Sequence, residues 1–412
     1  MVMLFNIITF GCKVNQYESE AMKEKMISAG FLYCDSYEKA DIIIVNTCSV
    51  TNVADRKCLK EIRKIKREKP GVILVLVGCS TQNKQDVYKG LGADVLLGNN
   101  GKSKIDMLVK DYTENKKKVE MFYNDRNLEF ENMMLSDFNH VRAYIKIEDG
   151  CDNFCSYCII PYVRGSVRSK DYDLVIKEAV ALAKSGHKEI VLTGIHTGRY
   201  NSGNHTLTDL IKQLAKIEGL ERIRLSSIEI TELDDKFLKM MEVTPKFCNH
   251  LHIPLQAGSD EILKKMNRKY NLEYFEEMLR KIRSVRPDIS ITTDVIVGHP
   301  YETDELFLET VNCVTKMNFA KIHVFPFSVR QGTAAANMPE QVPGNVKKMR
   351  ARKLIEVSHE LEDKYYNNFK GKMLDVLIEE NDNGKSVGHT SNYLKVCVDE
   401  DLKVGNIYER VI

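Results

Sequence analysis

The amino-acid sequence predicts a mixed α/β protein with an N-terminal parallel-sheet α/β domain, a central partial (β/α)6 barrel and a small C-terminal all-β barrel. The chain has 412 residues, of which 43% are hydrophobic, so it can fill two or three separate cores. Short β-rich runs alternate with amphipathic helical stretches as far as about residue 327, which is typical of parallel strands covered by helices. After a long charged helix the pattern changes to short strands with Gly and Asn turns, which indicates an all-β domain.

The first domain is predicted over residues 1–135. Strands are expected at 4–9, 40–46 and 72–77, and helices at 18–29, at 53–68 and near Gln85. Residues 113–140 are polar and contain three consecutive lysines, so we expect them to form a connector.

The second domain is predicted over residues 136–340. Its expected strands lie at 144–147, 190–192 and 223–226 and near Leu251, Ile291 and Ile322, and its first helices at 172–183 and 207–217. About six such β/α units favour an open barrel over a closed eightfold one. Residues 341–370 are expected to form a helical linker, and residues 371–412 the C-terminal all-β domain.

The charge of the chain is nearly balanced, with 60 basic and 58 acidic residues and a net charge of +2. A nucleic-acid partner would therefore need a local cluster of basic residues. Residues 1–10 lack the positively charged start of a secretion signal, and the longest apolar runs, 42–45 and 72–77, are too short to cross a bilayer. We therefore expect a soluble, cytoplasmic protein without a membrane partner.

Eleven cysteines in a chain without a secretion signal indicate reduced thiols or metal ligands. Cys151, Cys155 and Cys158 form a CxxxCxxC loop directly after the first strand of the second domain. Three thiolates in so short a loop can bind three irons of a cuboidal iron–sulfur cluster and leave the fourth iron open. The alternative is a zinc site, but zinc ribbons pair two CxxC motifs, and 155/158 is the only pair at that spacing.

Three further cysteines share one placement. Cys12, Cys48 and Cys79 each follow a predicted strand of the first domain within a few residues. Because the carboxyl ends of strands in an open α/β sheet meet at one crevice, these thiols can hold a second cluster with an open iron. Gly11 and Gly78 beside them would permit close backbone approach. The alternative is that each cysteine is a small buried hydrophobic residue, which is the role expected for Cys34, Cys58, Cys248, Cys313 and Cys397.

These features resemble those of the radical S-adenosylmethionine (SAM) methylthiotransferases over nearly the whole chain. The motif TFGCKVNQYES at 9–19, the motif NTCSVTNVADRK at 46–57 and the segment 150–165 are long, specific matches. Within the family, KVN after Cys12 and the VTNVADRK run resemble the MtaB group, which acts on N6-threonylcarbamoyladenosine of tRNA. The isopentenyladenosine group tends to have QMN at that place, and the ribosomal-protein group has PKN.

The resemblance implies two [4Fe-4S] clusters, one on the CxxxCxxC loop and one on the three strand-end cysteines. The first would chelate SAM and, with an external one-electron reductant, reduce it to a deoxyadenosyl radical. That radical would remove hydrogen from C2 of the adenine 3′-adjacent to the anticodon. The second cluster would carry sulfur, methylated by a further SAM, and transfer it to that carbon. The implied partner is the tRNA anticodon stem-loop, and the cofactors rather than a catalytic side chain carry the chemistry.

The resemblance also implies SAM contacts at the strand ends of the barrel, the usual site face of β/α barrels. These contacts are assigned to residues that follow successive strands: Tyr157, Thr193, Gly194, Ser226, Glu229 and Gln256. The last lies in HIPLQAGSD at 252–260, which is similar to the family's HIPLQSGSD and is followed by the family's MNR at 266–268. The alternative for each is a turn or capping role, as expected for Ser259 before a helix.

The sequence departs from the family pattern in two segments. TDVIVGHPYET at 293–303 follows the family's TDIIVGFPGET but has His299 for Phe and Tyr301 for Gly, which changes the expected loop shape. The third N-terminal cysteine stands in GCSTQ rather than the commoner GCYAQ, which leaves the thiol in place.

A basic helix supplies the expected RNA contact. Residues 53–70 carry eight basic and three acidic side chains beside Cys48, an excess that can hold tRNA phosphates. A solvated helix face is the alternative. A weaker basic stretch spans 347–353, and GHTSNYLKV at 388–396 resembles a TRAM domain, a small RNA-binding barrel, in a shorter form. The residues assigned to RNA are Arg56, Lys57, Lys60, Arg63 and Lys64.

The predicted function is methylthiolation of C2 of N6-threonylcarbamoyladenosine in tRNA. One alternative changes the substrate to isopentenyladenosine tRNA or a ribosomal-protein aspartate. The other is a non-catalytic iron–sulfur RNA-binding protein. The sequence favours an enzyme, because the SAM-type loop and its barrel would otherwise have no use.

Overall fold

A computed structural model describes residues 2–49 and 52–412, so Val50 and Thr51 of the VTNVADRK run lie outside the described residues. The described chain forms two compact units. The first comprises the residues up to Leu135 together with 148–152 and 159–170; the second comprises 136–147, 153–158 and 171–412. Across the described residues, no helix is both long and apolar enough to span a lipid bilayer.

The first unit contains a six-stranded parallel sheet. Its strands are β1 (Leu4–Thr9), β2 (Leu32–Tyr33), β3 (Ile42–Thr47), β4 (Ile73–Gly78), β5 (Val95–Leu97) and β6 (Val119–Met121), in the order β2-β1-β3-β4-β5-β6. Its helices are α1 (Lys13–Ser28), α2 (Asn52–Glu68), α3 (Cys79–Asn83), α4 (Gln85–Lys89) and α5 (Ile105–Asn115). All residues of β3 and β4 are buried, as expected for parallel strands covered on both faces.

The side chains of β3 point alternately to the two faces of the sheet, so the hydrophobic core of this unit has one part on each face. Ile42 and Ile44 pack on one side with Phe5 and Met22, and Ile43 packs on the other with residues of α2. The predicted connector begins later than expected, because α5 continues to residue 115 and β6 pairs in parallel with β5.

The segment that follows contains four short elements: β7 (Arg142–Lys146), β8 (Glu148–Asp149), α6 (Ile160–Val163) and β9 (Arg168–Ser169). β8 and β9 pair antiparallel and belong to the first unit, and β7 belongs to the second.

The second unit contains six parallel strands, as predicted. Besides β7, the parallel strands are β10 (Glu189–Thr193), β13 (Arg222–Leu225), β14 (His250–His252), β15 (Ser290–Val297) and β16 (Lys321–Pro326). Two short strands, β11 (Asn201–Ser202) and β12 (His205–Thr206), lie between β10 and β13 in the sequence. The parallel sheets β13-β10-β7 and β14-β15-β16 are linked by a parallel bridge from Ile223 to Phe247, and β11 and β12 form a separate hairpin.

The helices between these strands are α7 (Tyr172–Lys184), α8 (Leu207–Leu214), α9 (Asp235–Val243), α10 (Asp260–Lys265), α11 (Leu272–Val285) and α12 (Asp304–Met317). Five of them begin after a side chain that accepts a hydrogen bond from the first helical turn, which satisfies a free backbone N–H. These capping residues are Asp171, Thr206, Asp234, Asn271 and Thr303.

The C-terminal part consists of a long helix and an antiparallel sheet. These are α13 (Gly344–Asn367), β17 (Met373–Asp382), β18 (Lys385–Thr390), β19 (Lys395–Val398) and β20 (Ile407–Val411), with the strand order β19-β18-β17-β20. The predicted linker helix also covers the edge of β16, because Ser358 Oγ accepts from the Ile322 N–H at 2.9 Å and donates to the Ile322 carbonyl at 3.0 Å.

Candidate functional site

Three cysteines stand at the carboxyl ends of three adjacent parallel strands in the first unit. Cys12 lies between β1 and α1, at the residue before the helix, Cys48 directly follows β3, and Cys79 directly follows β4. The strands are in register, with Thr9 opposite Asn46 and Thr47 opposite Gly78. The sheet therefore brings these thiols to one edge, which we call the N-terminal cysteine site.

Glycines at this edge allow the close approach that the sequence predicted. Gly11 has a φ of +123°, and a Cβ built there would lie 3.0 Å from Cys48 Sγ. Gly78 has a φ of +113°, and a Cβ there would lie 2.5 Å from the Thr47 carbonyl oxygen. A side chain at either glycine would push the cysteine-bearing segments apart.

Asn15 joins the ends of β1 and β3. Its Nδ2 donates to the carbonyls of Phe10 and Thr47, each at 3.0 Å, and its Oδ1 lies 3.5 Å from Cys12 Sγ. Asn15 is fully buried and Cys12 is exposed, so the asparagine links an exposed thiol to the buried ends of the two strands.

Buried charges surround Cys79. Arg164 Nε donates to Cys79 Sγ at 3.3 Å, and Lys102 lies beyond it, paired with Glu18 at 2.6 Å. Burial raises the pKa of the Cys79 thiol, and the two cations oppose that rise. Neither Arg164 nor Lys102 was predicted from the sequence.

The CxxxCxxC cysteines lie in a loop that backbone contacts fix on both sides. In the first unit, the Cys151 N–H donates to the Gly165 carbonyl at 3.0 Å. In the second unit, the Cys158 N–H donates to the Cys155 carbonyl at 3.0 Å. Ser156 donates through its N–H to Met266 at 2.9 Å and accepts from the Ala335 N–H at 2.7 Å. All three thiols are half-buried, which leaves them accessible to a ligand.

Arg268 of the MNR motif is the counterpart of Arg164 at this loop. Its Nη1 donates to Cys155 Sγ at 3.3 Å. The guanidinium also forms an ion pair with Glu229 and interacts electrostatically with the Tyr157 phenol. Burial raises the pKa of Tyr157 well above its ordinary value, so its phenol stays protonated. The MNR motif matches the family pattern, but no role for its arginine was predicted from the sequence.

The residues predicted to contact SAM lie at carboxyl ends of strands in the second unit. Thr193 ends β10, and Ser226 follows β13. Gln256 forms an isolated parallel bridge with Val295 of β15 and has a φ of +69°. Gly194 follows Thr193, and Glu229 precedes a short 3-10 helix. In the described part of the chain, the buried Ser226 Oγ has no hydrogen-bond partner, which fits a site that receives a polar ligand.

The two departures from the family pattern fit the local structure. His299 is fully buried and its Nε2 lies 3.1 Å from Ser156 Oγ, inside the CxxxCxxC loop. Burial lowers the pKa of His299 to about 4. The neutral ring therefore donates through Nδ1 to the Pro300 carbonyl at 3.0 Å and accepts from Ser156. Tyr301 keeps the loop turn with a φ of +71°, a conformation that glycine adopts more readily.

The donor chemistry of both sites fits iron–sulfur clusters. Each site offers three soft sulfur ligands and an arginine N–H that donates to one of the sulfurs. Within residues 2–49 and 52–412, no three His, Cys, Asp or Glu side chains are grouped as they would be around one metal ion. A cuboidal cluster differs from such a site, because each thiolate binds a different iron.

The other five cysteines divide into packing residues and one exception. Cys58 and Cys248 are fully buried, and burial raises their thiol pKa values to about 12 and about 11. Cys34 and Cys313 are half-buried. Cys397 was predicted to pack but is exposed on β19, because its side chain faces outward from the C-terminal sheet.

The basic residues of α2 lie mostly on its outer face. Arg56, Lys57, Lys60 and Arg63 are exposed, and Lys64 is half-buried. An open groove of about 390 Å³ runs along the helix, lined by Arg56, Leu59, Lys60, Arg63, Lys64 and Arg67. Lys69 is not available to RNA, because its Nζ donates to three backbone carbonyls of residues 37–40.

The weaker basic stretch at 347–353 is only partly available to RNA. In α13, Arg350 is buried in ion pairs with Glu302 and Asp304, and Lys347 donates to the Phe327 carbonyl at 3.3 Å. The buried Arg350 cannot face RNA and Lys347 is half-buried, whereas the other basic residues of the stretch are exposed: Lys348, Arg352 and Lys353.

The turn of the TRAM-like segment also has an internal role. Tyr393 stacks on His250 and His389, and the guanidinium groups of Arg142 and Arg224 lie over its ring. Arg224 and Arg222 donate to backbone carbonyls of 389–391. Arg142 and Arg222 are the first residues of β7 and β13, so the turn docks near the amino ends of these strands.

Two known families match successive parts of the chain. The radical SAM superfamily matches residues 145–314, and the Uncharacterized protein family UPF0004 matches residues 4–98. The chain is 39% identical to the threonylcarbamoyladenosine tRNA methylthiotransferase MtaB of Bacillus subtilis, over 94% of this chain and 88% of the relative. It is 36% identical to the MtaB of Aquifex aeolicus, over 98% of both chains.

A second group of relatives is nearly as similar. The chain is 36% identical to the tRNA-2-methylthio-N(6)-dimethylallyladenosine synthase of Natranaerobius thermophilus, over 91% of this chain and 85% of the relative. Among solved structures, it resembles the radical SAM methyltransferase TsrM of Kitasatospora setae with cobalamin and a [4Fe-4S] cluster bound. That likeness has a TM-score of 0.63 and 14% identity, over 82% of this chain and 74% of TsrM. It shows a shared fold.

Proposed function

The chain belongs to the radical SAM methylthiotransferase family, and we propose that it methylthiolates C2 of N6-threonylcarbamoyladenosine in tRNA. Enzymes named MtaB match it at 36–39% identity, and the coverage reaches 98% of both chains. The observation that carries the proposal is the pair of three-cysteine sites, one in each part of the chain that the family matches describe. The curated relatives also include dimethylallyladenosine synthases, so the choice of tRNA base rests on the MtaB matches and the KVN motif.

Each cysteine site would hold one [4Fe-4S] cluster. The CxxxCxxC loop would bind the cluster of the radical SAM superfamily, and the N-terminal cysteine site would bind a second one. When bound, these clusters and SAM supply one-electron cleavage of SAM for hydrogen removal from an aromatic C–H, and a source of methylated sulfur. An external one-electron donor is required for that cleavage.

The protein itself positions and shields these groups. Arg268 and Arg164 each donate to one ligand sulfur, and His299 holds Ser156 within the loop. We propose that Thr193, Gly194, Ser226 and Gln256 line the SAM site, where the unpartnered Ser226 hydroxyl would gain a polar contact. The neutral phenol of Tyr157 and the Glu229 carboxylate, held by Arg268, would complete that site.

We further propose that the basic face of α2 binds phosphates of the tRNA anticodon stem-loop. Arg56, Lys57, Lys60 and Arg63 are exposed and lie on the helix that begins a few residues after Cys48. Lys64 adds charge at the edge of the same groove, and Arg67 extends it. A TRAM-like role for the C-terminal sheet would have to use surfaces other than the docked turn at 389–393.

The activity is tested by nucleoside mass spectrometry of tRNA from a strain that lacks the gene and is complemented with cysteine variants. We expect the methylthio derivative of threonylcarbamoyladenosine to be absent with Cys48→Ala or Cys151→Ala and present with Cys397→Ala, the matched control on an exposed cysteine. Loss of methylthio-isopentenyladenosine instead would assign the other tRNA substrate.

Purified variants separate the two sites. Cys151→Ala should abolish deoxyadenosine formation from SAM, and Cys48→Ala should keep it without inserting sulfur. Full methylthiolation by Cys48→Ala would contradict the second cluster, and SAM cleavage by Cys151→Ala would contradict the first.

RNA binding by α2 is tested through the salt dependence of tRNA affinity. Replacing Lys60 or Arg63 by Ala should lower the slope of log K against log salt by about 1 for each phosphate that the variant no longer neutralises. Lys239→Ala is the control, since Lys239 is an exposed lysine on α9 with an ion pair to Glu242. Equal slopes for all variants would place the RNA elsewhere.

A further inference from the structure

We infer that Arg164 is a positioning residue of the N-terminal cysteine site, where its Nε–H fixes the Cys79 sulfur and raises the reduction potential of the cluster bound there. The inference rests on the proposed second cluster and goes beyond it. Arg164 follows α6 and is 2% exposed, and it lies six positions after Cys158 in the sequence.

Every nitrogen of the Arg164 guanidinium donates at least one hydrogen bond. Nε donates to Cys79 Sγ at 3.3 Å, Nη1 to Glu18 at 3.1 Å and to Asp149 at 2.9 Å, and Nη2 to Asn15 Oδ1 at 3.2 Å. A planar fork with this many fixed partners cannot rotate, so the N–H that points at the sulfur is held in place. Through Asn15, the same guanidinium supports the residue that contacts Cys12.

The charges around Arg164 favour an anionic ligand. Its ion pairs form a chain that runs Lys102, Glu18, Arg164, Asp149, Arg168, and these five side chains are all at most 8% exposed. These five side chains comprise three cations and two carboxylates, so the ion-pair chain itself carries one net positive charge. Thiolate ligands bring the opposite charge, so this surplus stabilises a cluster on the three cysteines.

The same features act on the reduction potential. Reduction adds a negative charge to a cluster, and both an N–H donated to a ligand sulfur and a nearby buried cation stabilise that charge. Removing Arg164 should therefore make the N-terminal cluster harder to reduce.

Arg168 is the matched control within the same ion-pair chain. It pairs with Asp149 at 3.1 Å and donates to the carbonyls of Arg164 and Ser166, whereas the cysteine sulfur is contacted by Arg164. Arg168→Gln removes the same charge and leaves the N–H to sulfur bond in place.

The direct contact is tested in the full chain with Cys151, Cys155 and Cys158 replaced by Ala, so that only the N-terminal cluster can form. The protein is labelled with 15N-arginine, reconstituted with iron and sulfide, reduced, and examined by electron–nuclear double resonance. We expect a 15N coupling that disappears with Arg164→Lys. Bound cluster without that coupling overturns the inference and leaves the proposed function standing, whereas protein that binds no cluster overturns the second cluster itself.

The potential is tested by redox titration of the same protein followed by electron paramagnetic resonance. At a fixed potential, Arg164→Gln should lower the ratio of reduced to oxidised cluster about tenfold, which corresponds to about 59 mV for one electron. Arg168→Gln should give less than half of that shift, and Arg164→Lys should recover part of it. An equal shift with Arg168→Gln, or none with Arg164→Gln, overturns the inference. If Arg164→Gln does not fold, the 15N measurement decides alone.

Discussion

The two cysteine sites differ in how the chain assembles them. The CxxxCxxC loop supplies its three thiols from eight consecutive residues, whereas the N-terminal cysteine site takes one thiol from the end of each of three strands. Local turns fix the first, and the register of a parallel sheet fixes the second. The N-terminal site therefore depends on the tertiary fold of its whole unit.

The sites also differ in their surroundings. Cys79 is buried beside a chain of five buried charges, whereas the loop thiols are half-buried and the Glu229 partner of Arg268 is partly exposed. An arginine donates to one sulfur in both places. The arginine–sulfur contact is therefore supported by a fully buried ion-pair chain at the N-terminal site. At the loop site it is supported by a pair in which Arg268 is 3% and Glu229 is 16% exposed, so losing the carboxylate should cost less stability there.

The largest expected effect is the loss of the buried carboxylate at the N-terminal site. Glu18 pairs with Lys102 at 2.6 Å and with Arg164 at 3.1 Å, and all three side chains are at most 1% exposed. Glu18→Gln leaves two buried cations without this carboxylate, so we expect a loss of about 3–5 kcal/mol in the free energy of unfolding. Urea unfolding of the cluster-loaded protein under anaerobic conditions measures it.

Glu229→Gln is the matched change at the loop site. Glu229 is 16% exposed, so water can replace part of its interaction with Arg268, and a loss of about 1–2 kcal/mol is expected. Equal losses for the two variants would contradict the proposed difference in burial between the sites.

His299 gives the loop site a pH dependence that the family's Phe would lack. Its pKa is about 4 in the folded protein, against about 6.5 for an unperturbed histidine, so the unfolded chain binds more protons between these values. The contribution of neutral His299 to the free energy of unfolding is complete above about pH 6.5. It is lost as the pH falls towards 4, and the total loss is about 3 kcal/mol.

The test compares wild type with His299→Phe at several pH values. Between pH 7 and pH 4, the free energy of unfolding of wild type should fall by up to about 3 kcal/mol more than that of His299→Phe. The other titrating groups are the same in both proteins, so their contributions cancel in the comparison. A difference that stays constant with pH would show that His299 does not remain neutral when buried.

Much of the fold could be predicted from the sequence, because hydrophobic alternation reports directly on strands and on amphipathic helices. β1 was predicted at its observed bounds, and the six parallel strands of the second unit were expected near their observed positions. β6 was missed because VEM is a short run beside three lysines, and its strand character comes from pairing with β5.

The residues around the sites were harder to predict than the cysteines. Spacing identified the CxxxCxxC loop, and equal placement after strands identified Cys12, Cys48 and Cys79. Arg164 and Arg268 are separated in sequence from the sulfurs they contact, by 85 and 113 positions, and no local pattern marks such long-range pairs. The segment 347–353 shows the converse error, because a basic run does not distinguish an exposed lysine from the buried Arg350.

The smallest expected effect concerns Tyr301, the second departure at the loop site. Its φ of +71° costs a non-glycine residue about 1 kcal/mol, and its ring lies 4.1 Å from Lys265 Nζ, a cation–π interaction worth about 0.5–1 kcal/mol. Tyr301→Gly should therefore change the free energy of unfolding by less than about 1 kcal/mol, because relief of backbone strain offsets the missing cation–π interaction and the greater entropy of unfolded Gly. Tyr301→Ala removes the ring but keeps the strain, so it should be less stable than the Gly variant by up to about 1 kcal/mol. Urea unfolding of the two variants gives that difference, and an Ala variant more stable than the Gly variant would contradict a strained turn next to His299.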